Sequence, residues 1–199
     1  MKYLHPTLVA LVSGFILAGC SSTPIPVESG YLADYTRLRP ATHLTQYWVD
    51  TDLIIKSEPP NIALGTISAP GIIDKEGVTV ADCIGWLKTG LLSETAISDN
   101  NPDARYRLDV AITYMDPGSA ADRILAGEFG AGEARLQTEG KITDMKTGQL
   151  VATYVESQHT SGEIGLNDIV GDSETDLIEL LIRALSKNVN KELLASFSL

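Results

Sequence analysis

The sequence has 199 residues, of which 15 are lysine or arginine and 26 are aspartate or glutamate, so the formal net charge is -11. A chain this acidic, with no cluster of basic residues to offset the charge, repels nucleic-acid phosphates, and we exclude nucleic-acid binding. The length fits a leader followed by one domain, and a hydrophobic content of 44% can supply a core.

Residues 1–19 have the three parts of an export signal. Lys2 lies in the first part, an apolar run covers residues 8–17, and the small residues Ala18 and Gly19 follow. The run is shorter than the roughly 20 apolar residues that a lasting membrane-spanning helix needs. We therefore predict a signal peptide that is removed, and not a transmembrane segment.

Residues 17–20, Leu-Ala-Gly-Cys, resemble the lipobox of bacterial lipoproteins. The resemblance implies diacylglycerol on the sulfur of Cys20, cleavage before Cys20, and acylation of the new amino group, for example with palmitate. Two or more acyl chains hold a protein stably at a membrane, whereas one holds it only marginally. Ser21 and Ser22 stand where an inner-membrane retention signal usually has aspartate, which favours the outer membrane. The alternative is an ordinary signal peptide followed by a buried cysteine.

The remaining chain divides into a lipidated tether over residues 20–29 and a single globular domain over residues 30–199. Two prolines and four hydroxyl residues in the tether favour an extended, poorly packed stretch. If Cys20 is lipidated, Cys83 has no disulfide partner in the chain. We expect Cys83 to be a small buried residue rather than a reactive thiol.

The segment from Gly30 to Pro40 carries apolar and aromatic residues at helix-like intervals, and Pro40 would end any short helix there. We expect it to dock its aromatic side chains on the main body, and we name Tyr31 and Tyr35 as possible contacts with a partner. Residues 29–35 resemble the opening motif of a family of uncharacterised bacterial lipoproteins. Residues 129–134 and the turn at 144–148 resemble segments of related domains of unknown function. The resemblance implies no particular activity.

Hydrophobic periodicity predicts the domain elements. The expected helices cover residues 78–97, with Thr79 or Asp74 at the start, and 173–195, with a capping box from Ser173 and Asp176. The expected strands cover residues 51–56, 62–67, 105–115, 132–144 and 150–155, with a mobile loop over 157–172. Residues 62–67 are expected to begin the sheet, and residues 132–155 form a hairpin.

These elements predict an α+β fold of two layers, in which two amphipathic helices cover a mostly antiparallel sheet of about four strands. In the strand over residues 105–115, strict alternation places five apolar or aromatic side chains on one face. They are Tyr106, Leu108, Val110, Ile112 and Tyr114.

Motifs that would carry chemistry are weak. The glycines around residues 127–132, near Arg123, are not followed by the Lys-Ser/Thr of a phosphate-binding loop. His43 and His159 are isolated from other metal ligands. Residues 99–103 begin like a calcium loop but lack its later glycine and glutamate. No G-x-S-x-G motif occurs. We expect no metal, no cofactor and no enzymatic activity, although a triad assembled from distant residues stays an alternative.

The function predicted from the sequence is that of a periplasm-facing lipoprotein of the outer membrane. It would act as a non-enzymatic interaction or assembly module, with an envelope protein as partner and either the Tyr31/Tyr35 segment or an edge strand as contact surface. The alternative is a binder of a small apolar or glycan ligand in a cavity between sheet and helices. That cavity would be lined by Tyr106, Tyr114, Tyr154 and Trp86, which a plain core explains equally well.

Overall fold

The structure is a computed structural model that describes residues 28–75, 77–119, 133–160 and 173–198. Within these residues no helix is both long enough and apolar enough to cross a membrane. In chain order the elements are β1 (Gln46–Val49), a 3-10 turn (Thr51–Leu53), β2 (Ile62–Ser68), α1 (Val80–Leu91), β3 (Ile97–Ser98), β4 (Tyr106–Asp116), β5 (Arg135–Asp144), β6 (Leu150–His159) and α2 (Glu174–Phe197).

The strands form one six-stranded sheet in the order β1-β6-β5-β4-β2-β3. Strands β4, β5 and β6 form an antiparallel meander, and β1 adds antiparallel to β6. Strand β2 runs parallel to both β3 and β4. Among the described residues the α+β class with two helices is therefore confirmed, whereas the predicted sheet of about four mostly antiparallel strands is corrected to a mixed sheet of six. The parallel pairs arise because α1 lies between β2 and β3–β4 in the chain, as a crossover connection requires.

The prediction of a strand over residues 51–56 is wrong. The side chain of Asp50 accepts a hydrogen bond from the backbone N–H of Asp52 at 3.2 Å and turns the chain into the 3-10 turn. The strand lies earlier, in β1, so residues 62–67 do not begin the sheet. Tyr47 of β1 pairs with Tyr154 on one side and with Arg39 on the other. The backbone of Tyr47, in the middle of the edge strand β1, is therefore hydrogen-bonded on both sides.

Both helices begin at the caps that the sequence indicates. The hydroxyl of Thr79 accepts from the N–H of Asp82 at 3.1 Å, and Asp74 accepts from the N–H of Val80 at 2.7 Å. The capping box of Ser173 and Asp176 is confirmed at the start of α2. Helix α1 ends at Leu91 instead of residue 97, since the apolar stripe ends there and the chain turns into β3.

One face of the sheet packs against both helices. Helix α1 buries Leu87 and Leu91, and α2 buries a longer row that includes Leu181 and Leu185. The helices run in the same direction, because Thr175 bonds the carbonyl of Gly77 at 2.6 Å and Asn190 bonds that of Leu91 at 3.1 Å. They cross where a Cβ on Gly90 would lie 2.5 Å from the hydroxyl of Ser186, so glycine is required at the crossing.

Strand β4 departs from strict alternation near its end. The pairing with β5 shifts between Ile112 and Tyr114, where a β-bulge interrupts the ladder. Beyond the bulge Met115 takes the core position, at 7% exposure, and Tyr114 is 40% exposed. The predicted placement of Tyr114 beside the four buried residues of its strand is therefore wrong, while Tyr106 to Ile112 lie as predicted.

The predicted hairpin and its Asp-x-x-Thr-Gly turn are confirmed. Strand β6 runs to His159, so the prediction of a loop over residues 157–172 is wrong for residues 157–159, and residues 161–172 lie outside the described residues. Asp144 accepts from the N–H groups of Lys146 at 2.7 Å and Thr147 at 3.2 Å, and Gly148 adopts a φ of 71°. Burial alone would raise the pKa of Asp144, but these N–H groups and the guanidinium of Arg105 together lower it. The glycine-rich residues 129–132 that precede β5 lie outside the described residues.

Candidate functional site

Residues 28–39, which we call the strap, lie on the sheet face opposite the helices. In β5 the side chains of Leu136 and Ile142 point to the helices, so those of Glu139 and Lys141 point to the other face. On that face Leu32 and Leu38 of the strap form a small apolar cluster with Val155. The strap is thus a third, partial layer of the domain.

Tyr35 fixes the strap to the sheet. Its hydroxyl donates to a carboxylate oxygen of Glu139 at 2.6 Å and accepts from the N–H groups of Gly30 at 3.0 Å and Leu32 at 3.2 Å. Glu139 is fully buried and also accepts from the amide of Gln137 at 3.2 Å. A buried carboxylate needs such donors, so Tyr35 and Glu139 depend on each other.

Two cations lie over aromatic rings around this contact. The ammonium of Lys141 lies 3.9 Å from the ring centre of Tyr31, and the guanidinium of Arg37 lies 4.2 Å from that of Trp48. Burial, followed by the carboxylates of Asp109 and Glu139, raises the pKa of Tyr31 to about 12. The phenol therefore stays neutral at every pH at which the domain would work.

The expectation that Tyr31 and Tyr35 dock on the main body is confirmed. Both side chains are half-buried, since one part of each ring packs against the protein's own sheet. Their contact with a partner stays a prediction. Such a contact would involve the solvent-exposed parts of the two rings.

Replacing Tyr35 with phenylalanine is expected to lower the free energy of unfolding by about 2 kcal/mol, because it removes a hydrogen bond to a buried carboxylate. Urea unfolding measures this loss, and faster cleavage of the strap by protease would accompany it. The control is Thr36→Ala, since the hydroxyl of Thr36 is exposed and bonds only Asp34. Equal stability of the two variants would contradict the role given to Tyr35.

Two further buried acids hold the segment between strap and β1. Glu156 accepts from the N–H and the hydroxyl of Thr45, at 2.6 and 3.0 Å, and from the amides of Gln158 and Asn188 at 2.7 and 2.9 Å. Glu192 of α2 accepts from the N–H of His43 at 2.9 Å. Burial raises the pKa of Glu156 above its usual range, against the effect of these donors.

The four aromatic residues proposed to line a ligand cavity do not come together. Tyr106 and Tyr154 are buried in the core, with Tyr106 packed edge-on against Phe197 at 5.1 Å between ring centres. Tyr114 lies beyond the bulge at 40% exposure, and Trp86 is partly buried at the edge of the core, where it lines a surface cleft toward α2. Tyr106 and Tyr154 are therefore part of the packed core, and the four residues do not line one shared ligand cavity between the sheet and the helices.

The described residues do form surface clefts. One of about 490 Å³, which we call the helix cleft, lies between α1 and α2. Its α1 wall includes Trp86, Thr89 and Ser93, and its α2 wall includes Arg183 and Lys187. No residue of the strap contributes to it.

The remaining candidate residues carry no site. Cys83 is buried as predicted, with its sulfur 3.4 Å from that of Met115, and burial followed by the carboxylate of Asp82 raises its pKa to about 11. His43 bonds through its backbone, and His159 lies 3.4 Å from Glu133. No group of three or more metal-ligating side chains occurs among the residues that the structure describes.

Sequence reasoning missed the buried acids Glu139 and Glu156. Both lie in alternating strands where a glutamate is ordinarily a solvated residue, and the strap and α2 that cover them come from distant parts of the chain. Cys20, the signal peptide over residues 1–19 and tether residues 20–27 lie outside the described residues, so the lipidation site stays a prediction.

Solved structures that resemble this chain share little sequence with it and cover about two thirds of its length. A PelC dodecamer from Paraburkholderia phytofirmans is 14% identical, with 67% of this chain and 91% of that chain covered and a TM-score of 0.38. A hypothetical protein from Chlamydia trachomatis is 8% identical, with coverages of 67% and 98% and a TM-score of 0.43. A minor lipoprotein from Acinetobacter baumannii is 18% identical, with coverages of 68% and 91% and a TM-score of 0.35.

No curated protein matches the chain. A family model does match, over a stretch that starts within α1 and ends just after β6. This bears out the sequence-based resemblance to a family without an assigned activity. Residues 87–161 match the family described as a domain of unknown function, DUF4410.

Proposed function

We propose that the chain is a lipoprotein of the cell envelope, anchored through Cys20 in the outer membrane and facing the periplasm. Its domain would act as a non-enzymatic interaction or assembly module. The observation that carries this proposal is the sequence over residues 17–20, with its small residues and its cysteine directly after an export signal.

The position of the strap supports the proposal that the domain is held at the membrane. It begins only eight residues after Cys20, and eight extended residues span at most about 28 Å. The domain would therefore stay close to the membrane surface. Its acidic charge gives no general attraction to anionic lipid, so the acyl chains would supply the anchoring.

The absence of an enzymatic role is likewise part of the proposal. Three of the buried acids, Glu139, Glu156 and Glu192, are engaged in hydrogen bonds that hold the strap and the segment before β1. In the helix cleft the hydroxyls of Thr89 and Ser93 donate to the backbone carbonyls of Gly85 and Gly90, and among the described residues neither is hydrogen-bonded to a carboxylate that could act as its base. These features suit a protein that binds another protein better than one that transforms a substrate.

Replacing Cys20 with alanine is expected to move the protein from the membrane fraction to the soluble periplasmic fraction or to leave it unprocessed. Density-gradient separation of inner and outer membranes, with mass spectrometry of the mature N-terminus, measures the location and the acyl groups. The matched control is Cys83→Ala, which should keep the wild-type location. An unchanged location of the Cys20 variant would refute the anchor.

A further inference from the structure

We propose that the turn after β2 lies on the membrane surface and orients the anchored domain, with the side chain of Ile73 among the lipid headgroups. This inference rests on the proposed function, since it needs the anchor at Cys20. The juxtaposition that carries it is a strongly exposed apolar side chain close to the point where the tether enters the domain.

The backbone on both sides of Ile73 fixes its exposure. Ile73 is 68% exposed, more than any other large apolar side chain among the described residues. Before it, residues 69–72 form a turn that is closed by a backbone hydrogen bond of 3.3 Å and has a φ of 76° at Gly71. Ile72 packs against the core, and Asp74 accepts from the first N–H of α1 at 2.7 Å. The outward position of Ile73 is therefore built into the fold.

The tether enters the domain beside this turn. Ser29 and Gly30, near the start of the strap, line a cleft of about 570 Å³ together with residues 70–72 of the turn. The turn and the start of the strap thus face each other across one cleft. Because the extended chain between Cys20 and the strap spans at most about 28 Å, the turn stays near the bilayer.

Two other strongly exposed apolar side chains lie far from the tether. Ile55, at 58% exposure, and Met145, at 49%, are both close to the start of β4, where the N–H of Ile55 donates to the hydroxyl of Tyr106. Thr113, which lines the cleft beside the tether, comes seven residues later in β4, about 20 Å away. With the turn on the membrane, the end of the sheet that carries Met145 would face the periplasm and a partner there.

The size of the apolar surface favours a bilayer over a protein as the contact. A stable protein interface buries about 800 Å² on each partner, far more than one isoleucine and the rim of a turn provide. A contact this small suffices in an anchored molecule, because the tether keeps the turn at a high local concentration near the bilayer. Asp74 and Lys75, which follow Ile73, carry opposite charges, and the long side chain of Lys75 can reach lipid phosphates.

The test uses the acylated protein in vesicles of phosphatidylethanolamine and phosphatidylglycerol. The background variant is Cys83→Ala, and the sulfur of Cys20 carries its lipid, so a fluorescent label reacts only with Ile73→Cys or, as matched control, with Met145→Cys. Lipids that carry a nitroxide on the headgroup should quench the label at residue 73 about twofold or more, because interfacial side chains lie at headgroup depth. The label at residue 145 should keep its fluorescence.

A second pair of variants separates contact by Ile73 from nearness to the tether. With the label moved to Lys75→Cys, the additional change Ile73→Ser should lower the quenching about twofold or more, since the apolar side chain that holds the turn at the bilayer is lost. Met145→Ser should leave the quenching unchanged. All of these positions are exposed, so each variant should keep the wild-type fold.

Three results would each overturn the proposal. They are equal quenching at residues 73 and 145, quenching that Ile73→Ser leaves unchanged, and a label at residue 73 that is shielded from water but not quenched, as a contact with protein would give. Mass spectrometry of the mature N-terminus tests the anchor separately. An acylated, membrane-bound chain without quenching at residue 73 refutes only the bilayer contact, whereas a chain without acyl groups refutes the anchor and this orientation with it.

Discussion

Replacing Gly140 with alanine is expected to destabilise the domain by about 3 kcal/mol, the upper part of the usual range for overpacking a core. Gly140 pairs with Tyr154 across β5 and β6, and the ring of Tyr154 lies over the glycine. A Cβ at this position would lie only 2.6 Å from Cζ of that ring, which is fully buried and has no space to move. Urea unfolding of the purified protein measures the effect.

Gly85 provides the matched control for this substitution. It is an exposed residue of α1, and a Cβ there would meet no atom within 4 Å. Gly85→Ala should therefore stabilise the protein, by up to about 1 kcal/mol from helix propensity. Combining Gly140→Ala with Tyr154→Leu should recover part of the loss. A Gly140→Ala protein as stable as the wild type would show that the ring does not occupy this position.

Replacing Glu156 with alanine is expected to cost about 3 kcal/mol, because the N–H of Thr45 and the amides of two further side chains lose their common acceptor in a buried place. The segment that joins the strap to β1 should then loosen, which hydrogen exchange at Thr45 would detect. Glu94→Ala, at an exposed acid without an ion pair among the described residues, serves as control and should change stability by less than about 0.5 kcal/mol.

The pH dependence of the same site has a definite sign. Burial places the pKa of Glu156 in the folded protein above its value in the unfolded chain. Its contribution to stability is therefore greatest below the unfolded pKa and decreases as the pH rises through the folded pKa. The Glu156→Gln variant lacks this titration. Between pH 4 and pH 8 the free energy of unfolding of the wild type should therefore fall relative to that of the variant. A constant difference would contradict the buried, ionisable state.

Local signals predicted those parts of the fold that local interactions determine. The capping box at Ser173, the turn at Asp144 and the buried alternation from Tyr106 to Ile112 each depend on residues close in the chain. The parallel pairing of β2 with β4 depends on how the crossover through α1 packs on the sheet. Periodicity alone does not report that packing.

The errors have equally specific causes. One inserted residue at the bulge moves Tyr114 to the other face without any change in the apolar pattern. Strand β1 has only four residues, Gln-Tyr-Trp-Val, and the more apolar stretch after it is turned by the cap at Asp50. The carboxylate of Glu139 is buried only because the strap, about a hundred residues earlier in the chain, covers it. For the candidate site, the sequence identified Tyr31 and Tyr35 as aromatic residues that dock on the domain. It identified neither Glu139, the buried acceptor of Tyr35, nor the helix cleft.

The strap also sets the boundary at which the domain can be shortened. A protein that begins at Pro40 would keep all the strands and helices described above. It would nevertheless expose the apolar surface around Val155 and Trp48 and leave the carboxylate of Glu139 without its donor from Tyr35. Such a form should aggregate in solution, as exposed apolar patches commonly do. A soluble version suited to crystallisation or binding assays should instead begin no later than Glu28.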